Sequence, residues 1–431
     1  MSSGQAFDAI VVGAGPAGCA CSYRLAKEGL NVLLVERGKF AGAKNMWGGA
    51  FFGPALHNLI PDFGKEAPIE RFVARHRLSF LSGEECLSIE YASPEYSASP
   101  YEAFIALRAK FDKWLVTKVE EAGGIVATGL QAEDLLWDGS KIVGIKAGKD
   151  EIPCNVVVAC DGVNSFLAQK AKLRGEIEPQ DAKQGVKEVI ALPREVLERR
   201  LGLNSSEGIS WQFIGNFTRG VPGGAFIYSN RESLSVGIVV LLSSLKEKGF
   251  TANDLLEDFE KYPVVASLLE GGRLVEYSGH LIPTSAMDMM PALCTNGFLV
   301  AGDAAAFVVG TGLILEGANF AISSGMAAAD AVIKAKKAED YSAITLSCYQ
   351  KLLEQSFVLK DLRTYRKAHH FLENPRIYTT YPELLCEFAA KIFTSDGEPR
   401  KRTWNTLRDT MKGKVSIWQV AWDMMQAKEA I

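Results

Sequence analysis

The most constraining feature of this 431-residue chain is a glycine-rich turn near its start. An apolar run from Phe7 to Val12 is followed at once by Gly13-Ala14-Gly15-Pro16-Ala17-Gly18 and then by a stretch that favours a helix. A strand, a tight turn and a helix in this order are the pattern of a dinucleotide-binding unit. Gly13 would allow the sharp turn, Gly15 would let the backbone approach a pyrophosphate, and Gly18 would let the helix pack closely on the strand.

A second apolar run, from Val32 to Val35, ends in Glu36 and is followed by Arg37. A carboxylate at the end of the second strand can accept hydrogen bonds from the 2′-hydroxyl of an adenosine ribose. We therefore expect a dinucleotide whose adenosine ribose carries no phosphate at this position.

Two later segments repeat the arrangement of a buried strand followed by a polar turn. The first strand ends at Cys160-Asp161-Gly162 and the second at Gly302-Asp303. Parallel sheets bind ligands at the carboxyl ends of their strands, and an aspartate there can meet a ribityl hydroxyl. A small-residue helix from Ala318 to Ala331 follows, and its positive N-terminus suits a reduced flavin ring. These segments favour one FAD molecule, held by distant parts of the chain, over NAD.

With these motifs in place, the chain resembles the glutathione-reductase-type flavoproteins of the subgroup that contains aromatic hydroxylases, geranylgeranyl reductases and electron-transfer-flavoprotein:quinone oxidoreductases. The likeness includes Arg108, and within that subgroup the chain is most similar to the FixC-type quinone oxidoreductases, through the loop Lys44-Asn45-Met46-Trp47-Gly48-Gly49. It departs from many relatives at Gly310-Thr311-Gly312-Leu313, where they carry a proline.

The resemblance implies that FAD is the cofactor and that the flavin, rather than a particular side chain, carries the chemistry. The Gly48-Gly49 pair would lie beside the isoalloxazine ring, because backbone without a Cβ atom can approach a planar ring. The residues that we expect to bind FAD are Gly13, Gly15, Pro16, Ala17, Gly18, Glu36, Arg37, Asn45, Gly48, Gly49, Arg108, Asp161, Gly162, Gly302, Asp303, Gly317 and Asn319.

Several patterns are missing from the sequence. No second glycine-rich nucleotide turn lies between Val163 and Gly297, so we expect no resident nicotinamide site. None of the eight cysteines shows the C-x-x-C spacing of a metal or iron–sulfur site. His57, His369 and His370 show no ligand spacing with cysteines or acids, so no metal is expected. The resemblance then implies that a separate small ferredoxin-like iron–sulfur protein supplies the cluster that some relatives carry as a fused segment.

The discontinuous motifs predict an α/β fold with three parts. A Rossmann-like FAD-binding domain would take residues 1–70, 100–175 and 275–345, and an inserted antiparallel β-sheet domain for substrate or quinone would take 71–99 and 176–274. Within the insert, Ser210–Ile214, Gly224–Ser229 and Ser233–Leu242 read as adjacent antiparallel strands. Residues 346–431 would form a helical C-terminal region that docks on a partner or a membrane.

The C-terminal region is rich in Lys and Arg, with Arg400-Lys401-Arg402 followed by Trp404, and Trp418 and Trp422 one helical turn apart. One interpretation is an interfacial helix or a docking face for a partner protein. The alternative is a helical cap whose tryptophans are buried. His280 is similarly open to two interpretations, since it could line the flavin pocket but a lone histidine at a strand end is more often structural.

A net charge of −4 gives no reason to expect nucleic acid as a partner. No signal-peptide pattern is seen, and the most apolar later region is broken by Asp303 and by glycines, so we expect no membrane span. Scattered, unpaired thiols suit a reducing cytosol. The expected location is therefore cytoplasmic and peripheral, at the inner face of the cell membrane.

These observations lead to the hypothesis of a FAD-dependent oxidoreductase that accepts electrons from the alpha and beta subunits of an electron-transfer flavoprotein and reduces a membrane quinone. One alternative is a geranylgeranyl-reductase-like enzyme that saturates isoprenoid lipids. Another is a flavin-containing assembly subunit with little turnover of its own. A hydroxylase is disfavoured, because it would require delivery of external NADPH.

Overall fold

The computed structural model describes residues 6–43, 48–98, 102–284 and 286–431. In chain order its strands are β1 (Phe7–Val12), β2 (Val32–Glu36), β3 (Gly48–Phe52), β4 (Ile69–Ser82), β5 (Glu85–Ala92), β6 (Ala103–Leu107), β7 (Ile125–Thr128), β8 (Asp134–Asp138), β9 (Lys141–Ala147), β10 (Asp150–Ala159), β11 (Ala182–Ala191), β12 (Glu207–Gly215), β13 (Gly223–Ser229), β14 (Ser233–Leu241), β15 (Arg273–Pro283), β16 (Cys294–Thr295), β17 (Phe298–Val300), β18 (Val309–Gly310) and β19 (Leu315–Glu316).

The helices, also in chain order, are α1 (Pro16–Lys27), α2 (Pro54–Leu59), α3 (Phe63–Glu66), α4 (Arg108–Glu121), α5 (Phe166–Lys170), α6 (Arg194–Leu201), α7 (Leu242–Lys248), α8 (Ala252–Glu260), α9 (Pro263–Leu269), α10 (Ala286–Met289), α11 (Ala318–Lys337), α12 (Ala343–Leu346), α13 (Cys348–Gln355), α14 (Phe357–Thr364), α15 (Ala368–Leu372), α16 (Thr380–Phe393), α17 (Thr403–Met411) and α18 (Ile417–Ala430). Short 3₁₀ helices lie at Pro94–Ala98, Pro179–Asp181, Asn216–Thr218, Gly302–Ala305 and Pro375–Ile377.

The first sheet has β1 at its centre. Its order is β16-β17-β10-β1-β2-β7, and the five strands β7, β2, β1, β10 and β17 run parallel to one another. The chain builds outward from β1 to β7 on one side and later adds β10 and β17 on the other, which creates a crevice at the carboxyl ends of β1 and β10. The apolar runs that predicted β1, β2, β10 and β17 are confirmed, since each forms a buried strand of this sheet.

The second sheet has the order β15-β11-β14-β13-β12-β4-β6-β3, with β5 paired to β4. The predicted antiparallel neighbours β12, β13 and β14 are confirmed. One pair, β4 with β12, is parallel. These two strands are far apart in the sequence and are not joined by a hairpin, so no tight turn forces them to be antiparallel. The sheet also includes β3, β6 and β15, which lie wholly or largely in ranges that the sequence analysis assigned to the FAD-binding domain.

Helix α11 packs directly against α1 on one face of the first sheet. A Cβ atom added at Gly325 would lie 2.1 Å from the carbonyl oxygen of Ala17, so only glycine permits this approach. An ion pair between Arg24 Nε and Asp330 Oδ1, 2.5 Å apart, also joins the two helices. The small-residue composition of α11 thus places its N-terminal end beside the first glycine-rich turn.

Polar contacts join the C-terminal helices to one another. Arg376 donates two hydrogen bonds to the buried carboxylate of Asp423 on α18, at 2.7 and 2.6 Å. The hydroxyl group of Tyr381 donates a third hydrogen bond to the same carboxylate. Across the described ranges, none of the helices is both long and apolar enough to span a bilayer.

Candidate functional site

The turn after β1 is shaped by glycines that act for different reasons. Gly13 has φ of +104°, and a Cβ atom there would lie 2.3 Å from the carbonyl oxygen of Cys160. A Cβ atom at Gly18 would lie 1.9 Å from the carbonyl oxygen of Gly13. At Gly15, in contrast, the nearest atom to such a Cβ would be Nη2 of Arg108, at 3.7 Å. Gly13 and Gly18 are therefore required by the packing of the chain itself, whereas Gly15 leaves open space beside the turn.

This open space lies at the N-terminus of α1. Gly15 is the N-cap residue, Pro16 occupies the first turn, no side chain caps the helix, and no acidic residue lies in that turn. The first backbone N–H groups of a helix carry partial positive charge and bind anions. The turn thus offers the donors that a pyrophosphate requires.

The carboxylate of Glu36 is held over the same turn. It accepts a hydrogen bond from the backbone N–H of Ala14 at 3.0 Å and another from Gly38 at 2.6 Å. These two bonds fix the side chain at the carboxyl end of β2 and leave lone pairs on both oxygens, because a carboxylate can accept about four hydrogen bonds. Arg37, the next residue, is exposed.

Arg108 supplies a positive charge on the open side of Gly15. It begins α4, and its guanidinium group forms a bidentate pair with the buried carboxylate of Asp112, with distances of 2.6 and 2.8 Å. Burial lowers the pKa of Arg108, but the charges of Asp112 and Asp303 outweigh burial and raise it. The spacing of Arg108 and Asp112, one helical turn apart, is a sequence signal that could have identified this pair.

Gly302 and Asp303 bring a third segment to the crevice. Gly302 has φ of +67°, a Cβ atom there would lie 2.8 Å from Cβ of Ala17, and its N–H group donates to Ser324 Oγ at 3.0 Å. Burial raises the pKa of Asp303, while the charges of His280 and Arg108 oppose that rise. An acidic group therefore lies close enough to Arg108 and His280 to interact with their charges.

Within the protein, the partners of Asp161 lie in the loop that follows it. Its carboxylate accepts a hydrogen bond from Ser165 Oγ at 2.8 Å and one from the N–H of Leu167 at 3.2 Å. The side chain thus organises the loop that leads into α5. Gly162 has φ of +81°, and a Cβ atom added there would have no neighbouring atom within 4 Å, so the space beside it is open.

The segment between Asp303 and α11 forms a small hairpin of β18 and β19. Gly312, at its tip, has φ of +86° and contacts Leu372 of α15, since an added Cβ would lie 2.8 Å from Leu372 Cδ2. Gly317 is the N-cap residue of α11, and Asn319 donates a 2.5 Å hydrogen bond to Glu316. The loop at 310–313, where many relatives carry a proline, therefore runs toward the C-terminal region.

The Gly48-Gly49 pair begins β3 and pairs with Leu107 and Ala106 at the end of β6. This register places both glycines beside the start of α4 and hence near Arg108. Asn45, with the rest of the 44–47 segment, lies outside the described residues.

The second sheet faces this region with Lys187, which the sequence analysis did not identify, and with His280, for which it left two interpretations open. Lys187 and His280 lie on one face, because His280 is directly opposite Gly185 and cross-strand partners share a face. Lys187 is only 1% exposed, and its Nζ atom lies 3.3 Å from Glu276 Oε1. Burial lowers the pKa of both Lys187 and His280, and the charge of Arg108 contributes in each case.

The fold and this constellation define a FAD-dependent oxidoreductase. Residues 8–182 match the family model described as FAD dependent oxidoreductase, and residues 368–431 match the C-terminal domain of the ETF-QO/FixC family. The chain belongs to the family of FixC and the electron transfer flavoprotein–quinone oxidoreductases.

Full-length relatives support this assignment. The chain is 40% identical to the protein FixC of Escherichia coli K12 over 420 residues, which cover 94% of this chain and 98% of that protein. It is 38% identical to YdiS of the same strain, a probable electron transfer flavoprotein-quinone oxidoreductase, over 96% of this chain and all of that protein. The resemblance to the FixC branch is thereby confirmed.

Solved structures show the same fold at low sequence identity. A geranylgeranyl bacteriochlorophyll reductase-like protein from Thermoplasma acidophilum superimposes with a TM-score of 0.72, 19% identity and coverage of 98% of this chain and 99% of that one. The flavin-dependent brominase Bmp2 gives a TM-score of 0.67, 16% identity and 98% coverage of both chains. At these identities the likeness concerns the fold alone.

Proposed function

We propose that this chain accepts electrons from an electron-transfer flavoprotein with alpha and beta subunits and passes them to a membrane quinone. The observation that carries the proposal is the similarity to FixC and YdiS over nearly the whole of all three chains. A separate small ferredoxin-like protein would supply the iron–sulfur cluster, since the cysteines lack the spacing that such a cluster needs.

FAD would lie in the crevice at the carboxyl ends of β1 and β10. The glycine turn and the N-terminus of α1 would hold the pyrophosphate, Glu36 with Arg37 the adenosine ribose, and Arg108 the phosphate side of the site. The groups beside the remaining part of the cofactor would be Asn45, Gly48, Gly49, Asp161, Gly162, Gly302, Asp303, Gly317 and Asn319. The open space at Gly15, with an uncapped helix on one side and a guanidinium group on the other, fits this cofactor. FAD supplies two-electron redox chemistry when bound.

Lys187 and His280 would donate protons to the quinone. Both side chains are titratable, and they lie on the same face of the second sheet as Lys183. The Nζ atom of Lys183 lies near Gly310, in the segment before α11. Lys187 is buried and His280 is partly buried, and burial lowers the pKa of both side chains, which makes each a stronger acid. Asp303 and Glu276 would orient them.

The C-terminal region would hold the protein at the inner face of the cell membrane. Trp404, Trp418 and Trp422 are 66%, 84% and 55% exposed, so the alternative in which these tryptophans are buried is wrong. Amphipathic rings next to basic side chains, here Arg400 and Arg402, suit the boundary between water and anionic headgroups.

The test uses the purified FAD-loaded protein with its electron-transfer flavoprotein and ferredoxin-like partner, under anaerobic conditions. Flavin absorbance should fall when the partners are reduced and recover when a quinone analogue is added. Lys187→Met and His280→Gln should slow recovery while leaving the initial reduction unchanged. Failure of the flavin to reoxidise with any quinone analogue would refute quinone reduction, and a two-dalton mass gain per double bond in an isoprenoid lipid would indicate the saturase instead.

A further inference from the structure

Asp288, His369 and His370 form a cluster where α10 meets α15. One potential ligand atom from each residue lies within 4.8 Å of the other two. Asp288 and His370 are exposed and His369 is partly buried. The expectation that the histidines bind no metal came from their sequence spacing alone, and the fold brings in a carboxylate from a distant helix.

The hydrogen bonds of His369 leave one ring nitrogen available as a ligand. Nδ1 lies 2.9 Å from the carbonyl oxygen of Arg366, which can only accept, so Nδ1 carries the proton. The lone pair is then on Nε2, which lies 3.9 Å from Asp288 Oδ2. A backbone carbonyl that fixes one imidazole nitrogen while the other faces a cation is the usual outer-shell arrangement of metal-bound histidine.

The second imidazole is adjacent. The ring centroids of His369 and His370 are 3.8 Å apart. Two imidazoles and a carboxylate form a nitrogen–oxygen donor set that suits Zn²⁺.

Arg366 would compete with a bound cation for the carboxylate of Asp288. Its Nε and Nη2 atoms donate to Asp288 Oδ1 at 2.9 and 2.6 Å. Both bonds are to Oδ1, and Oδ2 is the carboxylate oxygen that lies 3.9 Å from His369 Nε2. The guanidinium group therefore orients the carboxylate but also offsets its charge, which would weaken cation binding.

We propose that Asp288, His369 and His370 bind a divalent cation of the Zn²⁺ class, with water in the fourth position, and thereby tie α10 to the C-terminal region. Tetrahedral bonds of about 2.0–2.1 Å place ligand atoms roughly 3.3 Å apart, so small side-chain rotations would close the present separations. The site is independent of the proposed electron transfer, since none of its residues belongs to the crevice.

The test is a Zn²⁺ titration of the chelator-treated, FAD-loaded, full-length protein in competition with a chromophoric chelator. We expect about one equivalent to bind and to raise the thermal midpoint. Asp288→Asn and His369→Gln should each weaken binding by at least about tenfold, and His57→Gln, which changes a distant histidine, should leave it unchanged. Circular dichroism would verify that each variant is folded.

Arg366→Gln gives a sharper test, because it removes the competing cation but keeps the carbonyl group that holds His369. Zn²⁺ should then bind more tightly than in the unchanged protein. Unchanged affinity in Arg366→Gln would exclude Asp288 as a ligand and overturn the three-residue site. Absence of binding, or binding equally strong in Asp288→Asn and His369→Gln, would overturn it as well.

Discussion

At the scale of single residues, two glycines of the first turn differ in whether the fold itself requires them. Gly18 touches the backbone of Gly13, so its lack of a side chain serves the chain's own packing. Gly15 has extended backbone angles, φ of −82° and ψ of −176°, that other residues adopt readily. The fold therefore does not require glycine at this position, which agrees with the proposed approach of a pyrophosphate.

Gly15→Ala should leave the stability of the FAD-free protein within about 0.5 kcal/mol of the unchanged protein while weakening FAD binding by about tenfold, or roughly 1.4 kcal/mol. Gly18→Ala, as the matched variant, should lower stability itself by roughly 1–3 kcal/mol. Flavin fluorescence titration and urea unfolding of the FAD-free proteins measure the two effects. A Gly15→Ala protein that binds FAD normally would show that the phosphates lie elsewhere.

Glu188 of β11 and Glu260 of α8 are paired on the face of the second sheet that points away from the crevice. Burial raises the pKa of Glu260 to about 7, and the neighbouring charges of Glu188 and Glu257 add to the rise. Burial also raises the pKa of Glu188, which is hydrogen-bonded to Glu260. The two carboxyl groups therefore retain a shared proton at a pH where isolated carboxyl groups are ionised.

Because the folded pKa of Glu260 exceeds its ordinary value of 4.5, the folded state holds a proton that the unfolded state has lost between pH 4.5 and about 7. The contribution of this group to stability is thus fully present below pH 4.5 and disappears as the pH rises through about 7. Glutamine does not titrate, so Glu260→Gln should not lose stability through this group as the pH rises. The free energy of unfolding of the variant minus that of the unchanged protein should therefore increase from pH 4.5 to about 7. Urea midpoints at several pH values measure it, and a constant difference would contradict the shared proton.

At the scale of elements, the contact between α1 and α11 joins two segments that are far apart in the sequence. The run of small residues predicted a helix, which is confirmed, and in the structure Gly325 of that helix packs closely against Ala17. The pattern did not indicate which neighbour the helix would meet, since small residues on a helix face are compatible with any close partner. That choice depends on β17 joining the first sheet beside β10.

Gly325→Ala should destabilise the protein by roughly 1–3 kcal/mol, because the added methyl group would press on a backbone carbonyl that cannot rotate away. Glycine to alanine within a helix ordinarily stabilises by up to about 1 kcal/mol, so the sign of the change is diagnostic. Ser323→Ala, two residues earlier and only partly buried, is the control and should change stability by less than about 0.5 kcal/mol. Denaturant unfolding of both variants provides the measurement, and a stabilised Gly325→Ala protein would contradict the packing.

At the scale of the whole molecule, α17 and α18 present their tryptophans outward while Asp423 turns inward to Arg376. The ion pair between Asp423 and Arg376 anchors α18, the helix that carries Trp418 and Trp422. Replacing the rings should therefore affect association with other surfaces without affecting folding.

Trp418→Ala combined with Trp422→Ala should leave the thermal midpoint within about 2 °C and lower the fraction that sediments with vesicles containing anionic phospholipid. Trp137→Ala, which removes a 45% exposed tryptophan on a different surface, is the matched control and should sediment normally. Equal sedimentation of all three proteins would argue that this surface meets a protein partner instead of a membrane.

Local patterns in the sequence predicted most of the crevice, because each of its turns follows directly from a buried strand. Lys187 and His280 could not be assigned in this way, since their shared orientation depends on the pairing of β11 with β15, which lie far apart in the chain. The partners of Asp161 likewise depend on how the following loop folds back. Helical spacing could not decide whether the tryptophans are buried, because an exposed stripe and a buried stripe have the same period.

The dependence of α1 on α11 has a consequence for biosynthesis. As the nascent chain leaves the ribosome, the first nucleotide turn emerges before the helix that covers it, because that helix extends to Lys337, 319 residues after Gly18. Until then the apolar face of α1 lacks its neighbour, and a growing polypeptide would depend on chaperones to shield it. We therefore expect FAD to bind only after α11 has been synthesised.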